Sequence, residues 1–190
     1  GYFHLRIGWL YSKNEQQKEH FKRSLLYVER AGKLRPEDYT ARLLRVITEA
    51  KTIGFLPQEE QVQVVNKLVD KIEDLIAIEP NDPQNYYVLS WLNFKVGSIP
   101  QVKKFFASIL YGGLPERLTV EKGIDYMKKA ISLRPDYSVY YFDLGMYYKK
   151  TGRPEEARKF FEQATSIPPD TPEELVYQKR AERELKKLDV

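Results

Sequence analysis

Between residues 138 and 169 the chain sets large, small and helix-breaking residues at intervals that suit a pair of crossing helices. Tyr141, Leu144, Gly145 and Tyr148 are followed by a break at Gly152, then by Ala157, Phe161, Ala164 and Pro169. Tyr141, Leu144 and Tyr148 fall three and four apart, so on a helix they share one face. Gly145 has no Cβ, which lets a second helix approach closely there. Ala157 and Ala164 keep the second helix small where it crosses the first. Phe161 fills the space between the two, and Pro169 prevents continuation. One such pair cannot bury its own apolar face, so the pattern requires neighbours stacked on it.

The same punctuation recurs upstream. Leu34-Arg35-Pro36-Glu37, Ile78-Glu79-Pro80-Asn81, Leu133-Arg134-Pro135-Asp136 and Ile167-Pro168-Pro169-Asp170 each close a helix with an aliphatic residue and block it with a proline. The step from Pro135 to Pro169 has the 34-residue period of the tetratricopeptide repeat, and residues 141–169 match its large-x2-Leu-Gly-x2-Tyr, Ala-x3-Phe and Pro pattern. The chain therefore resembles a tetratricopeptide repeat protein. The resemblance implies an all-α fold, a right-handed α-solenoid of helix-turn-helix repeats forming one domain over residues 1–190. Units are expected at about 1–36, 37–80, 81–135 and 136–169, with a capping helix over 171–188.

The units differ in regularity. In the first, His4, Ile7, Gly8 and Tyr11 take the places of Tyr141, Leu144, Gly145 and Tyr148, and Phe21, Leu25, Val28 and Ala31 form the stripe of the second helix. In the second, Leu43, Leu44, Val46 and Ile47 precede Gly54, and Pro57 suits the first turn of the next helix. In the third, Tyr86, Leu89 and Ser90 stand where Tyr141, Leu144 and Gly145 stand later, but an insert over 97–119 delays its second helix, expected near 120–133. The insert has a helix of its own, opened near Pro100 and stopped at Gly112-Gly113. It is expected either to pack on its neighbours or to lie as a lid over the inner surface. Thr171-Pro172-Glu173-Glu174 has the form of a capping box, after which Leu175, Gln178, Ala181, Leu185 and Leu188 are expected on the packed side.

A narrower likeness covers residues 91–188. Gly112-Gly113-Leu114-Pro115 leading into Thr119-Val120-Glu121, and Ala157-Arg158 followed by Ile167-Pro168 and Asp170-Thr171, resemble the family called regulator of microtubule dynamics and its bacterial relatives. This resemblance implies a helical-repeat domain, attached in some members to a membrane and able to hold a phospholipid. It transfers no catalytic residue. The bacterial TRAP-transporter-associated repeat proteins resemble the chain more distantly.

Composition acts mainly by exclusion. Lys and Arg total 31 against 27 Asp and Glu, a net charge of +4, too small an excess to argue for nucleic acid. With no cysteine there is neither a disulfide nor a thiolate metal site. His4 and His20 fall in different helices without HExxH spacing, so two solvated histidines and no metal site are expected. Gly112-Gly113 lacks the Lys-Ser or Lys-Thr of a phosphate loop. The acid pairs Glu155-Glu156 and Glu173-Glu174 sit in first turns, where they favour the helix dipole. The expectation is a protein that is not an enzyme and needs no cofactor. No apolar run is long enough to span a membrane. The chain begins at Gly1 without Met, which is compatible with a signal or anchor upstream, and cytoplasmic and periplasmic settings both stay open.

In this repeat class the first helix of each unit lines the concave side. Read in that register, the first unit offers Tyr2, Leu5 and Trp9, and the second Leu43 and Ile47. The third offers Tyr87, Trp91, Phe94 and Lys95, the insert Phe105 and Phe106, and the fourth Phe142, Met146 and Lys150. Aromatic and aliphatic groups dominate, with a few lysines at the edge. Leaving so many in water is unfavourable, so something should cover them. The candidates are a protein partner or apolar peptide laid along the groove, an acyl chain whose headgroup meets the lysines, and the protein's own packing. The first is the leading expectation and lipid binding is the alternative.

Overall fold

The described residues form ten α-helices and one 3-10 turn (Ile53–Phe55), most of them bounded by proline or glycine. The structure is a computed structural model. It describes residues 1–10 and 14–188, apart from the side chains of residues 14, 105–107, 109 and 111. The helices are α1 (Tyr2–Leu10), α2 (Asn14–Leu34), α3 (Tyr39–Thr52), α4 (Gln58–Ile78), α5 (Pro83–Gly97), α6 (Gln101–Tyr111), α7 (Val120–Leu133), α8 (Ser138–Lys150), α9 (Pro154–Ser166) and α10 (Pro172–Leu188). No strand occurs among the described residues. The protein is an all-α chain of helix-turn-helix repeats.

Local chemistry sets the boundaries. Asp38 caps α3 through the Ala41 N–H at 2.8 Å, and Asp82 accepts from the Gln84 N–H at 2.8 Å at the start of α5. Pro83 and Pro154 each open a helix, where the missing N–H costs nothing. Gly112, Gly113 and Gly152 follow helix ends with φ of 81°, 83° and 75°, a region that favours glycine. Pro57 lies one place outside the expected first turn. It is the residue before α4, with extended backbone, and α4 starts at Gln58.

Packing divides the chain into two compact units, Gly1–Pro80 with Lys95–Thr119, and Asn81–Phe94 with Val120–Val190. In the first unit α1 crosses α2 at Gly8, where a Cβ would lie 2.9 Å from the Phe21 ring. The α2–α3 contact encloses a bond between the Ser24 and Thr48 hydroxyls (3.1 Å). Val65, Leu68, Val69, Ile72 and Leu75 give α4 a continuous buried stripe. The insert helix α6 docks on α4. Beside it Asn66 donates to the Gly113 carbonyl at 3.2 Å, and Arg117 pairs with Asp70 at 3.1 Å. Of the two expectations for the insert, packing on a neighbouring helix is the one this contact matches. Ala31, expected in the α2 stripe, is exposed, and Tyr11 lies outside the described residues.

The second unit contains the most regular pair. Gly145 of α8 meets α9 where a Cβ would come within 2.6 Å of Phe161, and Ala157, Phe161 and Ala164 are wholly buried. At α7 the closest approach is Gly123, whose absent Cβ would sit 2.9 Å from the Phe94 backbone nitrogen. Helix α10 closes the unit against α8 and α9 with Ala181 and Gln178 on the packed side as expected, but its first turn differs from the expectation. Leu175 is 43% exposed, while Glu174, Tyr177 and Ala181 face inward. The hydrogen bonds explain the rotation. Tyr137 donates to Glu173 at 2.8 Å, and the Thr171 hydroxyl accepts from the Glu174 N–H (3.2 Å) and donates to its carboxylate (2.9 Å). Glu173 and Glu174 thus do more than complement a dipole, because partnered carboxylates can be buried where free ones cannot.

Candidate functional site

The residues expected to line the groove fall into two groups once side chains are placed. Those that point sideways along the row of first helices are already covered by the protein. Tyr87, Phe94 and Phe142 are 4%, 3% and 8% exposed. Tyr87 donates to Asp143 at 2.7 Å, and Phe94 stacks face to face on Tyr147 with centroids 3.8 Å apart. The pairings 87 with 143 and 94 with 147 run in the same direction, so α5 and α8 lie parallel, as first helices of successive repeats do. Phe142 packs between Phe161 (5.7 Å) and Tyr177 (5.2 Å). Each such aromatic contact adds roughly 0.5–1.5 kcal/mol to the burial itself.

A tyrosine cluster that the sequence did not single out surrounds these residues. Tyr137 and Tyr140 meet edge to face at 4.7 Å, and Gln84 donates to the Tyr140 hydroxyl at 3.0 Å. Burial pushes the hydroxyls of Tyr87, Tyr137, Tyr140 and Tyr147 well above the ordinary tyrosine range, so all four stay protonated. As neutral hydroxyls Tyr87 and Tyr137 donate to the carboxylates of Asp143 and Glu173, while Tyr140 accepts from Gln84. Asp143, Tyr147 and Tyr177 were invisible to groove reasoning because they match no motif position. Asp143 and Tyr147 share a helix face with Tyr140, and Tyr177 lies one 34-residue period beyond Asp143, which is the signal that could have found them.

Three of the residues expected to line the groove stay accessible in the second unit. Trp91 and Met146 are partly exposed, and Lys150 is exposed with its Nζ 5.8 Å from the Phe94 ring centroid. By spacing, Trp91 shares a helix face with Tyr87 and Phe94, and Met146 with Asp143 and Lys150. The preceding residue, Lys149, is bound to Glu184 of α10, which anchors the end of α8.

The first unit shows the same division. Leu5 and Leu43 are buried at 3% and 8%, and Ile47 is partly exposed. Trp9 is partly exposed and holds Lys51 over its ring, with Nζ 3.6 Å from the centroid. Tyr2 is 53% exposed and accepts from Arg6 at 2.9 Å. Lys95 is exposed. Phe105 and Phe106 have side chains outside the described residues. Between α1, α2 and α3 lies a cleft of about 380 Å³ whose walls include Tyr2, Tyr27, Val28, Leu34 and Leu44. His4 and His20, expected to be separately solvated, are in contact: their Nδ1 atoms are 3.0 Å apart. No group of three or more His, Cys, Asp or Glu side chains that could hold a metal ion occurs among the described residues. Nor, among these residues, is any helix long and apolar enough to cross a membrane.

Comparison with known proteins agrees with this architecture. The sequence profile of the family described as "Regulator of microtubule dynamics protein 1-3" matches residues 3–189. The match reaches through both units, whereas the likeness read from motifs covered only residues 91–188. Regulator of microtubule dynamics protein 2 of Mus musculus is 30% identical over 118 residues, 62% of this chain and 28% of that protein. Regulator of microtubule dynamics protein 3 of Mus musculus and of Rattus norvegicus are each 27% identical over 117 residues, 60% of this chain and 24% of those proteins. The chain thus spans about a quarter of the length of these curated relatives. Two crystal structures of MamA, a tetratricopeptide-like helical-repeat protein, are similar in fold at 18% identity. Their TM-scores are 0.51 and 0.50. The matches cover 92% and 98% of this chain and 90% and 88% of those chains.

Proposed function

The chain belongs to the regulator of microtubule dynamics family, and from that premise we propose that it is a non-enzymatic scaffold that recruits a protein partner through the inner strip of its second unit. The observation that carries this reading is the contrast along α5 and α8. Tyr87, Phe94 and Phe142 are satisfied by stacking inside the unit, while Trp91 and Met146 keep apolar surface open to solvent beside the charge of Lys150. Such a strip suits a segment that presents an apolar side chain to Trp91 and Met146 and an acidic group to Lys150. The helical-repeat fold and the family both favour a protein partner. The relatives are named as regulators of microtubule dynamics, so microtubules are the first partner to test.

An acyl chain is the weaker reading. It needs a continuous apolar cavity, and the aromatic side chains that would line one in the second unit are pressed against each other.

Trp91→Glu separates binding from folding. Its side chain is partly exposed, so the variant is expected to keep the helical circular dichroism and to melt within a few degrees of the parent. In a pull-down or microtubule co-sedimentation assay it should retain less than about a tenth of the parent's binding, since an aromatic anchor at the centre of an interface is commonly worth 2 kcal/mol or more. Unfolding of the variant would place Trp91 in the core and remove the strip. Full binding by a folded variant would move the interface elsewhere.

A further inference from the structure

Two histidines sixteen residues apart, on helices that meet at a glycine, form a contact whose chemistry depends on protons. His4 lies on α1 and His20 on α2, and their Nδ1 atoms are 3.0 Å apart. The ring centroids are 5.3 Å apart. That exceeds the nitrogen separation by about two ring radii, so the nitrogens meet nearly head-on. This is the arrangement of a linear N–H···N hydrogen bond. A metal ion on the line between them would need about 4.0 Å, twice a Zn–N bond of about 2.0 Å. The gap holds a proton and no metal.

The pair cannot slide apart while the helices stay docked. Gly8 brings α1 so close that a Cβ there would lie 3.0 Å from the His20 Cβ. Gln17 donates to the Gly8 carbonyl at 2.9 Å. His4 is stacked on Tyr27 (5.7 Å, 4°) and meets Phe3 edge-on (5.9 Å). The proton count then decides the contact. With both rings neutral, one Nδ1–H donates to the other's lone pair. One added proton leaves a donor and an acceptor, and the bond becomes charge-assisted. A second added proton makes both Nδ1 atoms donors, with no acceptor between two like charges.

We infer that the His4–His20 bond is an acid-released latch, which holds α1 on α2 while at most one of the rings is charged and frees it when both are. Opening would uncover the buried Leu5 of α1 and the buried Phe21 and Val28 of α2.

The surroundings favour release over toleration of two charges. Burial lowers the His4 pKa, and His20 and Arg23 add to that, while Glu19 acts in the opposite direction. Glu19 is itself engaged by Arg23 at 2.8 Å. From α3 the facing charge is Lys51, which sits at the Trp9 end of α1. Because His4 is more acidic in the docked state than when free, the undocked state binds more protons in the histidine range. The latch's contribution therefore persists through the first, charge-assisted proton and is lost as falling pH adds the second.

Trp9 reports on α1 directly. In the full chain carrying Trp91→Phe it is the single remaining tryptophan. Its emission is expected to move to longer wavelength between about pH 7.5 and pH 5, with the helical circular dichroism of the rest of the chain retained. The same chain with His4→Gln and His20→Gln should lose that shift. An equal shift in the double variant, or none in its parent, overturns the latch. Nitrogen NMR of the unmodified chain at about pH 8 tests the bond without any substitution. One histidine should be the Nδ1–H tautomer and the other the Nε2–H tautomer. Finding both as Nε2–H tautomers would overturn it.

Discussion

Replacing Phe161 by Ala is expected to lower the unfolding free energy by about 3–5 kcal/mol, the range for emptying a large core site. Phe161 is wholly buried, and its ring fills the space that Gly145 leaves open on α8. The walls around it are helix backbone and small side chains. Ala157 and Ala164 flank it on its own helix, and Phe142 touches it from α8 at 5.7 Å. None of these can move in far enough to refill the hole, which is why the cost belongs near the upper part of the range. A denaturant midpoint followed by circular dichroism measures it. An unchanged midpoint would mean that the helix register assigned to α8 and α9 is wrong.

Gly123→Leu should cost about 3 kcal/mol, for the opposite reason. The first carbon of any side chain at this position would stand 2.9 Å from the Phe94 nitrogen and 3.1 Å from the Ser90 carbonyl oxygen. Those are backbone atoms of α5, so relief requires the whole helix to shift. The shift would also strain the 2.5 Å bond from the Ser90 hydroxyl to the Gly123 carbonyl and the stack of Phe94 on Tyr147. Gly32→Leu is the control. Nothing lies within 4 Å of a Cβ built there, and Leu is a better helix former than Gly. It should therefore be neutral or slightly stabilising. Equal losses at the two positions would show that helix propensity, and not the close approach of α5 and α7, sets the cost.

These two sites also show how far the sequence could be read. Phe161 was assigned from its spacing to Gly145 and Ala157, and its burial follows from those same residues. At the third pair the motif position of Gly145 is held by Ser90, so the motif alone does not point to Gly123. The third pair has moved its smallest residue to the opposite helix. Counting thirty-four residues back from Ala157 arrives at Gly123, and that is the signal that could have found it. The groove was harder to read. Residues three or four apart on one helix face differ by a fraction of a turn, and that fraction separates a side chain stacked on the neighbouring helix from one that faces solvent. Phe94 and Trp91 are three apart, yet one is stacked on Tyr147 and the other is partly exposed. Which is which depends on where Tyr147 arrives from α8. Leu175 faces outward although hydrophobicity alone places it on the packed side. The hydrogen bonds from Tyr137 and Thr171 bury two glutamates and turn the leucine outward. The histidine contact needed two helices to be placed before it existed at all.

A protein partner is expected to sit against Trp91, Met146 and Lys150, and site-specific photocrosslinking reads that contact. A diazirine amino acid at position 146 reports on the strip. The same group at position 159, an exposed site on α9, reports on the outer surface. In cells that make the protein naturally, irradiation should give a discrete protein adduct from position 146 that is absent from position 159 and disappears with Trp91→Glu. No adduct from position 146, or the same adducts from both positions, would contradict the account.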